Sequence, residues 1–419
     1  MTSDASAKAL TIKDVVRNFA PAWFAVTMGT GSISILFHVF PYGHSEGMQI
    51  TSLAIMFLNL VLFLLFSVIT IARYCLFPNV WRFMIHHPVQ SLYIGTFPMG
   101  ATTILNIAVG VIHEHYGFGG KPFLYFIWAC WWANVAISLL CCFGMLHFMK
   151  TSQNHSLQSM TAVWLLPVVT LVVASSTGGV VASSLYDYNN SHAMITVVIS
   201  LLMVTVGLTL SFMLLTIYLL RLIVSGLPPG ATVLSVFLPL GPMGQAGYSF
   251  LLIGQFFQKA LPLHGSTSKI LTADTTGDTI NVICVFVAFV LWSLASMWII
   301  FALLAVQDVL RQSTFSFRVP FWGLIFPNGV YANLTINLAG TFDSSFFRIL
   351  GSTYAVATLV LWTFVAIRTV ILAHRRTIFE APCLEDVDLR QFNQDRSTSR
   401  SKERKSMMTT TSGFTSNNL

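Results

Sequence analysis

The side chains that could act chemically within the apolar segments of this chain are hydroxyls and amides. The principal ones, with one glycine among them, are Thr27, Gly29, Thr30, Thr96, Asn106, Asn328 and Asn333. Neutral donors and acceptors of this kind suit weak binding of a passing ion, which must enter a site and also leave it. For each residue taken singly, a hydrogen bond across helices or to its own backbone is the simpler interpretation.

The chain lacks the residue patterns of an enzyme, a metal site or an ATP-driven pump. Its Gly-Gly-Lys sequence ends at Lys121 and is followed by Pro122, so it forms no phosphate-binding loop. No His-Glu-x-x-His or Gly-x-Ser-x-Gly sequence occurs. His113 and His115 flank Glu114 in a predicted outer loop, which is a weak metal signal. We therefore expect no catalysis, no metal and no cofactor.

Arg17 is an ionisable residue at the edge of the first apolar segment. A cation there could attract anions to a cytoplasmic mouth. The alternative is a topology anchor whose charged end extends to the membrane interface. The net charge of +7 needs no nucleic-acid partner, because it follows from basic residues on one side of a membrane and a basic tail.

Composition identifies the chain as an all-α integral membrane protein. Of its 419 residues, 55% are hydrophobic and 9% charged, whereas a soluble domain has about 25% charged residues. Runs of about 20 apolar residues predict membrane-spanning helices. The ten predicted spans are 18–40, 50–76, 89–112, 123–149, 160–184, 193–224, 232–260, 279–309, 320–341 and 346–373.

A proline interrupts every odd-numbered span. The five are Pro21, Pro98, Pro167, Pro239 and Pro327. Proline removes a backbone N–H and frees a carbonyl, and in hydrocarbon such groups must find partners or face a cavity. The pattern predicts five helical hairpins, each with one kinked and one straight helix, around a quasi-five-fold central pore. Half-helix N-termini at the breaks would favour an anion.

The distribution of basic residues predicts that both termini are cytoplasmic. Of the 22 Lys and Arg residues, the predicted outer side holds only Lys121, Lys259, Lys269 and Arg348. We expect a cytoplasmic segment at residues 1–17, a ten-helix domain at 18–376 and a disordered cytoplasmic tail at 377–419. The sequon at Asn189 lies in a predicted outer loop and is a candidate glycosylation site.

Two phenylalanines stand directly before a proline. These pairs are Phe97-Pro98 and Phe326-Pro327, and polar and glycine neighbours accompany the second. A bulky apolar ring at a constriction can close a pore by steric block and dewetting. Phe326 is therefore the first candidate for a gate, and Phe97 the second.

Three stretches resemble the tellurite-resistance/dicarboxylate transporter family, which includes the plant slow anion channels. They read NFAPAWFAVTMGTGSISILFHVFPY, IGTFPMGATTILN and WGLIFPNGVYANLT, and the resemblance extends over residues 13 to 376. It implies ten helices as five hairpins around a pore, often in a trimer, with Phe326 plugging the middle. It also implies efflux of sulfite or hydrogen sulfite across the plasma membrane. A malate/C4-dicarboxylate carrier and a general small-anion channel are the alternatives within this family.

Overall fold

The computed structural model describes residues 11–43, 45–263, 267–312, 317–382 and 384, and within these ranges the regular secondary structure is helical. A short helix, α1 (Ile12–Arg17), precedes the first long one. The remaining α-helices are α2 (Phe24–Val39), α3 (Glu46–Leu76), α4 (Pro78–His86), α5 (Thr96–Ile107), α6 (Gly120–Leu139), α7 (Met145–Thr151), α8 (Leu166–Leu185), α9 (Asn190–Ser225), α10 (Leu240–Ala260), α11 (Thr276–Gln312), α12 (Ile325–Phe342) and α13 (Ser345–His374).

Nine helical stretches in the described ranges are long and apolar enough to cross a membrane. This confirms a membrane protein built from helices. The predicted ninth span is not among these nine. It corresponds to Val319–Phe342, where Asn328, Asn333 and other polar residues dilute the apolar ones. The count of ten crossings thus stays a prediction.

The long helices pack as hairpins, and one member of each hairpin joins an inner ring. Sequential contacts pair α2 with α3, α5 with α6, α8 with α9, α10 with α11 and α12 with α13. The first members also contact one another in the order α2, α5, α8, α10 and α12, and α12 returns to contact α2. Five inner helices therefore form a closed ring of contacts.

Burial separates the inner helices from the outer ones. In an 18-residue apolar segment of each stretch that contains α2, α5, α8 or α10, 72% to 94% of residues are buried. In the stretches that contain α3, α6, α9, α11 and α13, the corresponding share is 17% to 39%. The hydroxyl and amide side chains thus lie on helices surrounded by protein. The more apolar outer helices present their side chains outward, as a lipid-facing layer requires.

Each inner helix begins as a 3₁₀-helix and continues as an α-helix. The 3₁₀ segments are Pro21–Trp23, Gln90–Gly95, Ala162–Leu165, Gly230–Phe237 and Val319–Leu324. The prolines stand near these junctions, as Pro98 and Pro327 do at the third residue of α5 and α12. A proline has no N–H, so at such a junction it makes no backbone hydrogen bond to the 3₁₀ segment before it.

The predicted half-helix N-termini are not formed. The residue before each inner α-helix already has right-handed helical dihedral angles, so the chain stays helical through the junction. Donors at these junctions are consequently not released toward the axis as a free helix end would release them. The structure thus shows no helix end at the junctions, and attraction of an anion by helix dipoles elsewhere in the ring stays a prediction.

The first described residues of the predicted tail are packed rather than free. Ile378 and Ala381 are buried, and the ring of Phe379 stacks on Trp23 with centroids 5.1 Å apart. Ala381 and Leu384 join a small apolar cluster with α4. These residues therefore pack against the helical domain. The boundary at residue 376 stays a prediction, and the rest of the predicted tail lies outside the described residues.

Close packing of α8 depends on Gly178. A methyl group at this position would lie 2.6 Å from Cζ2 of Trp131, a fully buried side chain whose Nε1 donates to the carbonyl of Ala174 at 2.8 Å. We expect Gly178→Ala to destabilise the protein by roughly 1–3 kcal/mol, as overpacking does. Thermal unfolding in detergent, followed by size-exclusion chromatography, measures the change.

Gly340→Ala is the matched control, because no atom lies within 4 Å of a methyl group there. A helical glycine in open space gains up to about 1 kcal/mol when replaced by alanine. Equal melting temperatures for the two variants would contradict the close approach at Gly178.

Candidate functional site

Two cavities lie inside the ring of inner helices. The wide cavity has a volume of about 620 Å³ and the narrow cavity about 240 Å³. Residues of all five inner-helix stretches, each a 3₁₀ segment with its α-helix, line both cavities. The two cavities therefore lie one after the other along the axis of the ring.

The cavities are separated at a common level. Along every inner stretch, the residues lining the wide cavity precede those lining the narrow one. The segments between them run over 28–32, 96–102, 166–173, 238–245 and 323–326. These segments lie at or just beyond the change from 3₁₀- to α-helix. Pro98, Pro167 and Pro239 lie within these segments and Pro327 directly follows one, whereas Pro21 lines the wide cavity.

Phe326 lies at this constriction. It is 3% exposed and is the first residue of α12 to line the narrow cavity, which places its ring at the end nearest the wide cavity. Phe97 is placed differently. Its ring packs between Phe24 and Phe63, with both centroid distances 5.1 Å, and it lines neither cavity. The geometry favours Phe326 over Phe97 as a gate.

Three of the predicted pore-lining residues line a cavity. Asn106 and Asn333 line the narrow cavity, and Thr96 lines the wide one. Oδ1 of Asn106 is buried and has no hydrogen-bond partner in the described part of the chain. The hydroxyl of Thr96 donates to the carbonyl of Tyr93 at 2.7 Å and also contacts that of Pro21 at 3.2 Å. Asn106 is therefore the predicted residue with the most open capacity for a ligand.

The other predicted pore-lining residues of the inner helices serve packing. Thr27 donates to the carbonyl of Phe24 at 2.8 Å, and Thr30 accepts from Nε1 of Trp362 at 3.2 Å. Neither lines the two cavities. In the structure both therefore hydrogen-bond within or between helices, and a role of either in the pore stays a prediction.

Gly29 and Asn328 also face neighbouring helices. A methyl group at Gly29 would lie 3.1 Å from Cβ of Ile325, so this glycine lets α2 approach α12. Nδ2 of Asn328 donates to the carbonyl of Leu324 at 2.6 Å, and its Oδ1 accepts from the hydroxyl of Tyr354 at 2.5 Å. Its amide is consequently engaged by protein on both sides.

Arg17 ends α1 and lines neither cavity. Its carbonyl accepts from Nε of Arg73, a fully buried residue at the end of α3, at 2.9 Å. Among the described residues that line the two cavities, Arg318 is the single Lys or Arg. Its Nη1 lies 3.5 Å from a carboxylate oxygen of Glu380. The path between the cavities therefore has no cation at the constriction.

Sequence reasoning missed two titratable residues of the narrow cavity, His38 and Glu114. Glu114 was expected in an outer loop. The structure places it in a π-helix, Ala108–His115, which continues α5. A signal was present, because Asn106, Gly110 and Glu114 recur every four residues. No described group of three or more His, Cys, Asp or Glu residues could hold a metal ion.

Asn189 lines neither cavity and caps α9. Its Oδ1 accepts from the backbone N–H of His192 at 3.0 Å, and the residue is half-buried. Because the cap uses the side-chain oxygen, the amide nitrogen takes no part in it. Glycosylation at Asn189 stays a prediction.

Comparison with known proteins gives a consistent family. The family model described as voltage-dependent anion channel (SLAC1) matches residues 18–370. A sulfite efflux pump of Arthroderma benhamiae is 35% identical over 87% of this chain and 93% of its own length. A sulfite efflux pump of Candida albicans is 27% identical over 87% of this chain and 76% of its own. A malic acid transport protein of Schizosaccharomyces pombe is 22% identical over 83% and 76%.

Cysteine accessibility tests which residues line the cavities. In a background without native cysteines, we expect Thr96→Cys and Asn106→Cys to react with charged thiol reagents from opposite sides of the membrane, because each lines a different cavity. Thr30→Cys serves as the control and should react from neither side. Reaction of Thr30→Cys at the same rate as the other two would contradict the assignment.

Proposed function

Because the chain belongs to the SLAC1 family of voltage-dependent anion channels, we propose that it exports sulfite or hydrogen sulfite from the cytosol. Relatives named sulfite efflux pump, one of them 35% identical to this chain, support this choice of substrate. The function is passage of an ion, and catalysis has no part in it. The resemblance noted in the sequence and the family match agree over nearly the whole helical domain.

The arrangement of the two cavities is the observation that carries the proposal. All five inner-helix stretches line both spaces, and the constriction between them is formed by neutral residues with Phe326 at its edge. An anion would enter through the wide cavity, pass the constriction when the Phe326 ring moves aside, and leave through the narrow cavity. Hydroxyl and amide groups would coordinate it weakly enough for release.

The orientation proposed here puts the wide cavity at the cytoplasmic end of the path. Basic residues at that end, including Arg318, support this orientation by the positive-inside rule. Both termini are then cytoplasmic and the narrow cavity opens outward, in the plasma membrane. By family resemblance the protein is proposed to assemble as a homo-oligomer, a trimer, with one path in each subunit.

A small oxyanion fits the path better than a dicarboxylate. A dianion such as malate would favour a cation deep in the path, and the one Arg lining the described cavities, Arg318, lies in the wide cavity beside Glu380. The similarity to a malic acid transport protein keeps malate as the second candidate. A general small-anion channel is the third.

Flux from liposomes containing the purified protein separates these candidates. We expect sulfite to leave faster than malate or chloride under matched gradients, because no cation at the constriction offsets a second carboxylate. Liposomes without protein provide the background. Malate flux above sulfite flux would replace the proposed substrate, and absence of any anion flux would remove the transport function.

Replacing the gate should open the path. Phe326→Ala removes the ring that lines the constriction, so we expect sulfite flux to increase by an order of magnitude or so, the change that about 1.4 kcal/mol off a barrier produces. Phe97→Ala is the matched control, because Phe97 packs between Phe24 and Phe63 away from both cavities. Unchanged flux in Phe326→Ala at normal membrane expression would exclude it as the gate.

A further inference from the structure

His38 and Glu114 both line the narrow cavity, and neither belongs to the constriction. His38 is in the last turn of α2 and Glu114 in the π-helix that follows α5. The two residues bring a titratable imidazole and a carboxylate to the space through which an exported anion would leave. Their hydrogen bonds determine what each can offer to that space.

The tautomer of neutral His38 is set by Gln49. The amide nitrogen of Gln49 donates to the His38 carbonyl at 3.4 Å, which leaves Oε1 of Gln49 as an acceptor. Nδ1 of His38 lies 2.8 Å from this oxygen and therefore carries the proton. Nε2 then has an open lone pair, and the described residues provide no hydrogen-bond partner for it.

Gly110 provides space for this nitrogen. A methyl group at Gly110 would lie 2.9 Å from Nε2 of His38, so the imidazole sits against the bare backbone of the π-helix. Glu114 lies four residues further along the same helix, and its Oε1 accepts from the hydroxyl of Ser184 at 2.5 Å. Nε2 and the Glu114 carboxylate therefore belong to the same end of the cavity.

Other titratable groups near this end are largely engaged. Glu46 on α3 accepts from the hydroxyl of Tyr116 at 2.7 Å and lies 3.2 Å from His115. Lys259 is paired with Asp187 at 2.8 Å. Tyr248 from α10 also lines the cavity, and the ring of His113 packs near Tyr188. Within the described lining, Glu114 is thus the single carboxylate, and His38 is the single imidazole.

We propose that His38 and Glu114 form a proton-dependent anion site at the outer end of the path. With His38 neutral, the narrow cavity presents the negative charge of Glu114 and a lone pair, both of which repel an anion. Protonation at Nε2 adds a positive charge and an N–H that donates to a small oxyanion, while Nδ1 keeps its bond to Gln49. The site rests on the proposed function, because it acts on the exported anion.

The site makes efflux depend on the pH outside the cell. Histidine is the side chain that ordinarily changes charge between pH 5 and 8. Acidification of the outer solution would add a proton to His38. The new positive charge would offset the negative charge of Glu114 and raise anion occupancy of the cavity. One unit charge at roughly 3 Å, the hydrogen-bond distance, in a water-filled site changes occupancy by about tenfold, so this is the largest expected response.

Sulfite efflux from cells with internal pH held constant tests the site, because the ionic form of the substrate inside is then fixed. Lowering the external pH from about 7.5 to about 5.5, a range that includes the ordinary value for a histidine side chain, should raise wild-type efflux by up to about tenfold. His38→Gln should stay at its high-pH rate. Glu114→Gln should export faster than wild type at the higher pH and respond less to acid.

His192→Gln is the matched control. His192 begins α9, bonds to the hydroxyl of Tyr125 at 2.9 Å and does not line the narrow cavity. This variant should keep the wild-type acid response. An acid response in His38→Gln equal to that of wild type would overturn the site. Failure of the proposed function looks different, because wild-type cells would then export no sulfite at either pH.

A cysteine variant keeps the test valid if His38→Gln fails to reach the membrane. Thiol reagents applied from outside to His38→Cys at the higher pH add a fixed positive or negative charge at this position. The positive reagent should raise sulfite efflux and the negative reagent should lower it, with wild-type protein as the reagent control. Equal effects of the two reagents would show that charge at position 38 does not matter and would overturn the proposal.

Discussion

Backbone groups inside a bilayer must find partners within the protein, and the five proline-containing helices of this chain meet that requirement at one common level. Side chains donate to carbonyls around the junctions, as Thr27 does to Phe24, Thr96 to Tyr93, Thr170 to Pro167 and Asn328 to Leu324. The polar residues that look suited to an ion are thus partly occupied by the backbone. A ring of helices can narrow there without exposing unpaired groups to lipid.

The same constraint produces a neutral constriction. Because the junctions stay helical and side chains donate to carbonyls there, the described residues place neither a free helix end nor a buried cation at the level of Phe326. Under the proposed function, an apolar ring at such a level would keep water out, and a hydrated anion would pass only when the ring moves. The charged groups of the path lie beyond the constriction on either side, with Arg318 and Glu380 in the wide cavity and His38 and Glu114 in the narrow one.

The order of the helices was easier to predict from the sequence than the face that each inner helix turns toward the cavities. Apolar runs, prolines and basic residues predicted a helical membrane protein with inner and outer helices, and the burial of the described stretches agrees. The residues facing the cavities were harder to predict. An inner helix is surrounded by protein on all sides, so polarity differs little around it, and Thr30 and Asn106 look equivalent in the sequence. Glu114 was misplaced because a π-helix extends α5 beyond its apolar run.

The most direct measurement asks whether Phe326 is what separates the two cavities. Asn106→Cys places a thiol in the narrow cavity, beyond the constriction as seen from the wide one. A small membrane-impermeant thiol reagent should modify it from the narrow-cavity side alone while Phe326 is present, and from both sides once Phe326→Ala is added. Modification from a single side in both proteins would contradict a continuous path closed at Phe326.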